Sequence, residues 1–509
     1  MKAAQIIWYA RRARTMERGE LGSRVARALQ GATDYLHCRL RGRSAFQRHL
    51  GAGPFRFCHH PDPMLPPLQW EFEPTEAQID DLLSGVHHAL GFPWAWRPDP
   101  DAWHRAPDTG HAWPAKFAGL IDHRPGNPVG DVRVTWEPNR LQQLIALALL
   151  TKSSPDRCFD AAALLKRQLF CWVDANPMRT GVNYTSAMEC ALRILSVSFA
   201  SDLARPLLLR DRAYWAAVTK LILEHAAFVN AHLSLFSSMG NHTVAECAGL
   251  FVAALIFPEF PAAAGWEACA REVLERAARR EVLADGGAAE QALRYHAQVV
   301  DYLEIAVRVG EHFGRDMSTL AALHRSGAAF LARFHVERHD LPCTGDDDEG
   351  QALSRHFVSS WADDARRAAK TGSNASVSLW SGGGYSIIRS ANDDSELIID
   401  HGPLGLPPNF GHGHADALAV QLRIGGEPVL IDPGTFSYGG DARWRNYFRG
   451  TAAHNTVTVD GRSQAKPAGP FLWSTSYACR LIHADSKNDR SAVVVARHDG
   501  YESIGVVHT

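Results

Sequence analysis

The hydrophobic pattern of the chain changes once, near residue 336, and this change limits what the chain can fold into. From about Asn139 to Val336, apolar residues recur three and four positions apart, which is the spacing of amphipathic helices. Short turn signals such as Asn176-Pro177 and Asp285-Gly286-Gly287 divide this region into about eight helices. Because short loops join them, we expect antiparallel neighbours in a layered helical array or toroid.

The sequence after the break predicts strands instead of helices. Short runs rich in β-branched and aromatic residues predict strands at Val377–Trp380, Tyr385–Arg389, Leu397–Asp400, Leu418–Ile424, Pro428–Ile431, Thr456–Asp460 and Ala492–Ala496. Gly425-Gly426 between two of these runs is typical of a hairpin turn. The apolar pattern continues through residues 504–507 with no closing turn, as a truncated sheet domain would show.

These patterns predict a multidomain α+β protein. At 509 residues the chain exceeds one ordinary hydrophobic core. We expect an N-terminal segment of uncertain structure over 1–100, a helical domain over 101–340, a linker over 341–375 and an antiparallel sheet domain over 376–509. The linker includes the acidic stretch 345–350, which is expected to be a solvated turn.

Composition excludes several classes of protein. The net charge of −2 provides no overall field that would recruit nucleic acid or an anionic membrane. No apolar run approaches the roughly 20 residues needed to cross a bilayer. The nine cysteines form no CxxC pair, which favours free thiols in a reducing compartment. Arg11, Arg12 and Arg14 follow an apolar stretch that lacks the pattern of a secretory leader, so the sequence alone suggests the cytoplasm.

Histidines and carboxylates gather in the strand-rich half. His412, His414 and Asp416 are followed by Asp432 and His454 within about 45 residues of glycine- and proline-punctuated sequence. Side chains two residues apart point to one side of an extended chain, so both histidines of the first motif can face one partner. One Asp and two His suffice for a metal site, and the remaining His is then free for proton transfer.

Polar residues also interrupt the helical half at three places. Asn241 precedes an apolar helix and either caps it or faces a substrate. Tyr295 is either a core aromatic residue with a satisfied hydroxyl or part of a site. Near Tyr184, Glu189 and Arg193 are four residues apart, a spacing that favours a salt bridge on one helix.

A basic and aromatic stretch near residue 445 is a candidate surface for an anionic ligand. Its members are Arg443, Trp444, Arg445, Tyr447, Phe448 and Arg449. Guanidinium groups bind carboxylate or sulfate with two parallel hydrogen bonds, so the stretch could bind an anionic sugar chain. A solvated strand face is the alternative, and the near-neutral chain disfavours a nucleic-acid patch.

Taken in order, these motifs resemble those of the heparinase II/III-like polysaccharide lyases and are similar to those of oligo-alginate lyases. The resemblance covers roughly three quarters of the chain, at Trp136-Glu137, Met188-Glu189, Gly240-Asn241-His242, Glu290-Gln291 to Tyr295-His296, Gly411 to Asp416, Asp432-Pro433-Gly434 and Arg449 to Val457. The family fold is an (α/α) toroid of helical hairpins followed by an antiparallel β-sandwich. This fold agrees with the order of helices and strands predicted above.

The resemblance implies β-elimination at a uronic acid. Asn241 would neutralise the carboxylate of the sugar, His412 would act as the base and Tyr295 as the acid. His242, Tyr184 and His296 would then belong to the substrate-binding residues, together with Arg443 and Arg449. The implied partner is an anionic polysaccharide or oligosaccharide that contains a uronate, such as a heparin-like, alginate-like or bacterial exopolysaccharide chain.

The resemblance also implies a zinc site at His414, Asp432 and His454. We expect such an ion to be structural and to orient the loop that bears His412. A metal-free hydrogen-bond network of the same residues is the alternative. Family membership further implies the periplasm, and it leaves a homodimer open.

Two other functions remain as alternatives. A glycoside hydrolase would need two carboxylates flanking the bond, and Glu290 and Asp416 are the candidates. A non-catalytic carbohydrate-binding protein would bind sugar without forming product.

Overall fold

The computed structural model describes residues 16, 19–41, 55–334, 341–370, 376–390, 395–439, 441–488 and 491–509. The motif at Arg11, Arg12 and Arg14 therefore lies outside the described residues, as does the pattern change at Val336. The chain divides into two compact units, one comprising 1–275, 305–317 and 351–357, the other 276–304, 318–350 and 358–509. This division interleaves along the sequence, whereas the pattern change suggested one boundary near residue 340.

Helices occupy most of the first two thirds of the described chain. Their bounds are α1 Glu20–Arg41, α2 Arg56–His59, α3 Glu76–Leu83, α4 Val132–Asn139, α5 Gln143–Ser153, α6 Cys158–Ala175, α7 Ala187–Leu203, α8 Arg205–Leu208, α9 Arg212–His232, α10 Asn241–Ile256, α11 Ala263–Glu281, α12 Leu293–His312, α13 Ser318–Leu331, α14 Ser360–Lys370 and α15 Ala442–Phe448. Residues 139–334 are all described, and they contain eight helices of at least eleven residues. The predicted helical array is thus confirmed.

Close packing of α7 against α10 forms the centre of the first unit. Nearly every side chain of both helices is buried, including those of Glu189, Arg193 and Glu246. A Cβ atom added to Gly249 would lie 2.8 Å from the Cβ atom of Ala191. Glycine at this position therefore allows the two helix backbones to approach each other.

Most strands lie in the second unit, whereas the first two along the chain belong to the first unit. Their bounds along the chain are β1 Val86–Ala89, β2 Phe92–Ala95, β3 Ser376–Trp380, β4 Tyr385–Arg389, β5 Glu396–Asp400, β6 Val420–Ile424, β7 Glu427–Leu430, β8 Pro467–Gly469, β9 Leu472–Trp473, β10 Cys479–Asn488 and β11 Ser491–His498. Strands β3 to β7 form one antiparallel sheet in sequence order. The turn between β6 and β7 has positive φ at Gly425 and Gly426 (58° and 79°), as the predicted hairpin requires.

One predicted strand is wrong and several others were not predicted. Residues 456–460 form no strand, and Val459 makes only an isolated bridge to Arg462. The hairpins β1–β2 and β8–β9 were missed because their strands have only two to four residues, and β10 was missed because it carries several charged and polar residues.

The described part of the chain contains no helix with the length and apolar character needed to cross a bilayer. The eight cysteines whose side chains are described are free thiols.

The sheet of the second unit packs on helices of the same unit. Phe330 and Trp361 form a buried apolar cluster with Tyr385, Ile387 and Ile398 of β4 and β5. A smaller cluster, which includes Leu404, Ala415 and Trp473, supports the loop that carries His412 and His414. The candidate site is therefore built on a packed layer.

Candidate active site

The loop between β5 and β6 carries His412 and His414, and its backbone is held closely. The indole N–H of Trp473 donates to the Gly413 carbonyl at 3.2 Å, and the Ala415 N–H donates to the Arg449 carbonyl at 2.9 Å. A Cβ atom on Gly413 would collide with the carbonyl oxygen of Leu404. The spacing of the two histidines is thus fixed by backbone packing.

The buried carboxylate of Asp346 holds both histidines. His412 Nδ1 lies 3.0 Å from Oδ2, and His414 Nε2 lies 3.0 Å from Oδ1. The two histidines thus share one carboxylate although their segment is not a strand. The Asp346 N–H also donates to the His412 carbonyl at 2.8 Å, which ties the backbone of the two segments together.

Arg445 compensates the charge of Asp346. Its Nη1 and Nη2 donate to the two carboxylate oxygens, the second at 2.8 Å, and both side chains are almost fully buried. Burial alone would raise the pKa of Asp346, but Arg445 and the hydrogen bonds from the histidines hold it well below the usual range. Asp346 is therefore a carboxylate that only accepts hydrogen bonds.

Tyr295 lies directly against His412. The two rings are stacked with their centroids 4.0 Å apart. The Tyr295 hydroxyl donates to Asp348 Oδ2 at 3.3 Å and lies 3.2 Å from the Tyr438 hydroxyl. Within the described residues, His412 Nε2 has no hydrogen-bond partner, and 14% of the His412 side chain is exposed. The imidazole of His412 thus lies next to a phenolic hydroxyl, and the roles of these two residues as base and acid stay predictions.

A second group of donors fits a metal ion. One ligand atom each from His414, Asp416 and His454 lies within 4.8 Å of the others. His414 Nδ1 and His454 Nε2 are buried and have no hydrogen-bond partner. Their other ring nitrogens are held by carboxylates, Asp346 for His414 and Asp432 for His454, the latter at 2.6 Å. This is the usual arrangement of histidine ligands and the carboxylates behind them at metal centres.

The observed donor set differs from the predicted one in its carboxylate. Asp432 is close to His454, as predicted, but it contacts the Nδ1 atom that faces away from the cluster. Asp416 provides the third ligand atom of the group. Its pKa is raised by burial, and only 6% of the residue is exposed. Such burial disfavours Asp416 as the acid of a glycoside hydrolase.

The basic stretch near residue 445 is a helix, α15, and not a strand face. Arg443 is exposed and pairs with Asp441 at 2.6 Å. Arg449 is buried, and its guanidinium donates to the carbonyls of Gly469 and Pro470 at 2.6 and 2.9 Å. This arrangement argues against the predicted contact of Arg449 with substrate, because the side chain is buried and both Nη atoms donate to backbone carbonyls.

Two further residues of the predicted substrate-binding set are buried. Tyr184 is 2% exposed and packs against the rings of His225 and Phe228. His296 is 3% exposed, and its Nε2 lies 2.9 Å from the Gly286 carbonyl, while burial lowers its pKa to about 4. Both side chains are thus packed in the interior, and their contact with substrate stays a prediction.

The predicted salt bridge between Glu189 and Arg193 is wrong. Glu189 instead accepts two hydrogen bonds from Arg140, at 2.9 and 3.0 Å. Arg193 donates to His225 Nε2 and to the Asn183 carbonyl. Both side chains are buried, so tertiary partners replace the weak pairing along the helix surface.

Asn241 and His242 lie at the start of α10 in the first unit. Asn241 is buried and is the first helical residue, whereas Gly240 occupies the capping position. The capping alternative for Asn241 is therefore wrong. His242 is exposed, and its predicted role stays a prediction.

Sequence reasoning missed Asp346 and Tyr438. Asp346 belongs to an acidic run that was expected to be solvated, yet it is 0% exposed. The one feature of the sequence that pointed to an ordered segment was Gly345. This residue adopts φ +60°, and a side chain there would collide with the backbone of Gln291. The site is therefore formed by three separated segments, around residues 295, 346 and 412.

The chain belongs to the heparinase II/III-like family. The description "Heparinase II/III N-terminus" matches residues 113–327, and "Heparinase II/III-like, C-terminal" matches residues 373–509. The two matches together cover most of the helical array, the sheet and the His412 loop. The family resemblance of the motifs is thus confirmed.

Two curated relatives are heparin-sulfate lyases. The protein from Bacteroides stercoris is 22% identical over 382 residues, which cover 66% of this chain and 55% of the relative. The protein from Pedobacter heparinus is 25% identical over 364 residues, which cover 66% and 53%. The chain thus spans little more than half the length of these relatives.

A solved structure shows the same fold. The crystal structure of a heparan sulfate lyase mutant from Pedobacter heparinus matches with a TM-score of 0.53 and 20% identity, over 84% of this chain and 66% of that chain. The fold is therefore a helical toroid followed by an antiparallel sheet domain, as predicted.

Proposed function

We propose that this protein is a polysaccharide lyase, a carbon–oxygen lyase that cleaves a uronate-containing polysaccharide or oligosaccharide by β-elimination. The observation that carries this proposal is the stacked pair of Tyr295 and His412, in which His412 Nδ1 is held by Asp346. The names of the two curated relatives support the same class of reaction.

The proposed reaction needs two proton transfers. His412 Nε2 accepts the proton on C5 of the uronate, the C5–H electron pair becomes the C4–C5 double bond, and the C4–O bond breaks. The Tyr295 hydroxyl gives its proton to the departing oxygen. Asp348 and Tyr438, which contact that hydroxyl, orient it. The products are a fragment with an unsaturated sugar at its new non-reducing end and a leaving fragment whose protonated oxygen is the hydroxyl of a new reducing end.

Asn241 has a separate role in the proposal. Removal of the C5 proton builds negative charge next to the carboxylate of the sugar, so a hydrogen-bond donor at that group lowers the barrier. We assign this role to Asn241. Replacement of Asn241 by Ala should lower turnover by about 10²-fold or more.

We also assign a structural divalent metal, in first place zinc, to His414, Asp416 and His454. The two buried ring nitrogens without partners support this assignment, because buried polar atoms normally have one. When bound, the ion would link the loop that carries His412 to the segment at residue 454. Elemental analysis of purified protein tests the assignment.

The decisive experiment is an elimination assay. Purified protein is incubated with heparin-like, alginate-like and unsulfated uronate chains, and ultraviolet absorbance of a C4–C5 double bond is followed. A rise in absorbance supports the lyase and identifies the sugar class. New reducing ends without this absorbance would indicate hydrolysis.

Variants separate catalysis from binding alone. Tyr295→Phe should abolish the signal while sugar binding remains, and Tyr214→Phe, which removes a buried hydroxyl bonded to Ser201 in the first unit, is the matched control. Sugar binding that is equal in all variants, with no product from the parent protein, would instead identify a carbohydrate-binding protein.

A further inference from the structure

Asp346 contacts the two histidines of the loop through different ring nitrogens. It faces Nδ1 of His412 and Nε2 of His414, both at 3.0 Å. A neutral imidazole has one N–H group and one lone pair. The nitrogen that faces a carboxylate must carry the hydrogen, because an ionised carboxylate has no proton to donate.

The environment of Asp346 leaves it no other role than acceptor. Arg445 donates to both of its oxygens, and the Thr435 hydroxyl donates to Oδ1 at 3.2 Å. Asp346 itself is 0% exposed, so water does not compete for these positions. Every described contact of the carboxylate is therefore with a donor.

The two histidines are consequently fixed in opposite tautomers. His412 carries its hydrogen on Nδ1, so its lone pair is on Nε2, next to the Tyr295 ring. His414 carries its hydrogen on Nε2, so its lone pair is on Nδ1, in the group with Asp416 and His454. The same carboxylate thus leaves the lone pair of His412 on Nε2, available as a base, and the lone pair of His414 on Nδ1, available to the proposed metal.

We propose that Asp346 is a positioning residue that sets both tautomers, so that one carboxylate prepares His412 as a base and His414 as a metal ligand. The His412 half of this inference rests on the proposed lyase function. The His414 half does not, because metal binding is measured without any substrate.

The variant Asp346→Asn tests this inference. Its amide offers one acceptor oxygen and one NH₂ donor group, so it can hold only one of the two rings in the present tautomer. We expect either a fall in kcat of about 10²- to 10⁴-fold with little change in KM, or a loss of bound metal of at least ten-fold in affinity. An unchanged kcat together with unchanged metal affinity would overturn the proposal.

Two further variants keep the test decisive. If the unpaired Arg445 destabilises Asp346→Asn, the double variant Asp346→Asn/Arg445→Gln removes both charges and should show the same defects. Asp432→Asn is the matched control, because Asp432 contacts His454 and not the loop histidines. It should weaken metal binding but leave the tautomer of His412 unchanged.

Nuclear magnetic resonance of ¹⁵N-histidine-labelled protein reads the tautomers directly. Signals are assigned with His412→Ala and His414→Ala, and the parent protein should show Nδ1–H for His412 and Nε2–H for His414. The opposite tautomer at either ring would refute the proposal, whatever the Asp346 variants show. If the tautomers and the metal behave as stated while no substrate is eliminated, the lyase function fails and the His414 half of the inference stands.

Discussion

His225 in the first unit and His414 in the second are both fully or almost fully buried, yet they use their ring nitrogens differently. His225 lies 2.8 Å from the Leu221 carbonyl through Nδ1 and accepts from Arg193 through Nε2, also at 2.8 Å. His414 bonds Asp346 through Nε2, while its Nδ1 has no partner. Burial alone therefore does not distinguish a structural histidine from the proposed ligand, and the two differ in that both ring nitrogens of His225 have partners.

Two buried carboxyl groups, one in each unit, also differ in how their charge is compensated. Glu246 in the first unit is bonded by the backbone and hydroxyl of Ser234, and burial raises its pKa to about 7. Asp346 in the second unit is paired with Arg445, and its pKa is held well below the usual range. One group is neutralised by a proton and the other by a guanidinium, so only Asp346 is a permanent acceptor.

The largest expected effect is a loss of turnover when a histidine of the site, and not a structural histidine, is replaced. His412→Ala should lower turnover by about 10²- to 10⁴-fold, because it removes the proposed base. Its melting temperature should change little, since the side chain is partly exposed. The elimination assay measures the change, with His483→Ala on the exposed face of β10 as control. Near-normal turnover in His412→Ala would refute the assignment of the base.

The reverse behaviour is expected of His225. His225→Ala should lower the free energy of unfolding by roughly 2–4 kcal/mol, because it leaves a cavity and removes the acceptor of Arg193. Chemical denaturation measures this loss. Turnover per folded molecule should stay near that of the parent protein, and a selective loss of turnover would contradict the structural role.

The pH dependence of stability tests the comparison of the carboxyl groups. The ordinary pKa of Glu246 is 4.5, and its folded value is raised to about 7. The folded state therefore keeps a proton that the unfolded state has lost between these values, so stability should fall as pH rises from about 4.5 to 7. The contribution is on the order of 3 kcal/mol.

Glu246→Gln is the variant that isolates this effect. Its amide oxygen can still accept from Ser234, but it does not titrate. Denaturation curves at several pH values should show a smaller fall for the variant than for the parent protein. Asp301 has a pKa raised to about 7 as well, so part of the slope should remain. An identical slope in both proteins would contradict the assignment.

A smaller effect is expected for the carboxylate behind the proposed metal ligand. Asp432→Asn should weaken metal binding by about 10- to 100-fold, because it no longer holds His454 in its present orientation. His454→Ala should lose the metal entirely and lower the melting temperature. Elemental analysis and thermal unfolding with and without a chelator measure both changes. A parent protein without metal would refute the site.

The smallest effect is expected at Arg443. Its pair with Asp441 is exposed to solvent, and such pairs contribute little to stability. Arg443→Ala should leave the melting temperature unchanged and raise KM if Arg443 binds the anionic sugar. Arg449→Ala should instead lower the melting temperature and leave KM unchanged, because Arg449 is buried and donates to backbone carbonyls. An unchanged KM for Arg443→Ala would remove Arg443 from the binding surface.

Much of the fold was predictable from the sequence because its periodic patterns are local. The eight long helices between 139 and 334 and the strands β3 to β7 follow from apolar spacing and one glycine pair. The pairing of β10 with β11 was missed, since β10 carries Arg480, His483 and Asp485 among few apolar residues.

The site was predictable only where its residues share one motif. His412 and His414 are two residues apart, so a common partner could be expected, but the identity of that partner could not. Asp346 is 66 residues away from His412, and its neighbours Asp347 and Asp348 are also acidic. Only tertiary packing distinguishes the one carboxylate that is paired with Arg445.

Gly413 carries no functional group, yet any side chain at this position would collide with Leu404. This collision limits which residues the position can accept. In a saturation library scored by folding or activity, position 413 should tolerate substitution as poorly as the histidines on either side of it. Intolerance at this position would report on backbone packing and not on chemistry. A conserved motif of the form His-Gly-His would then be maintained by two unrelated pressures, of which only one acts on the reaction.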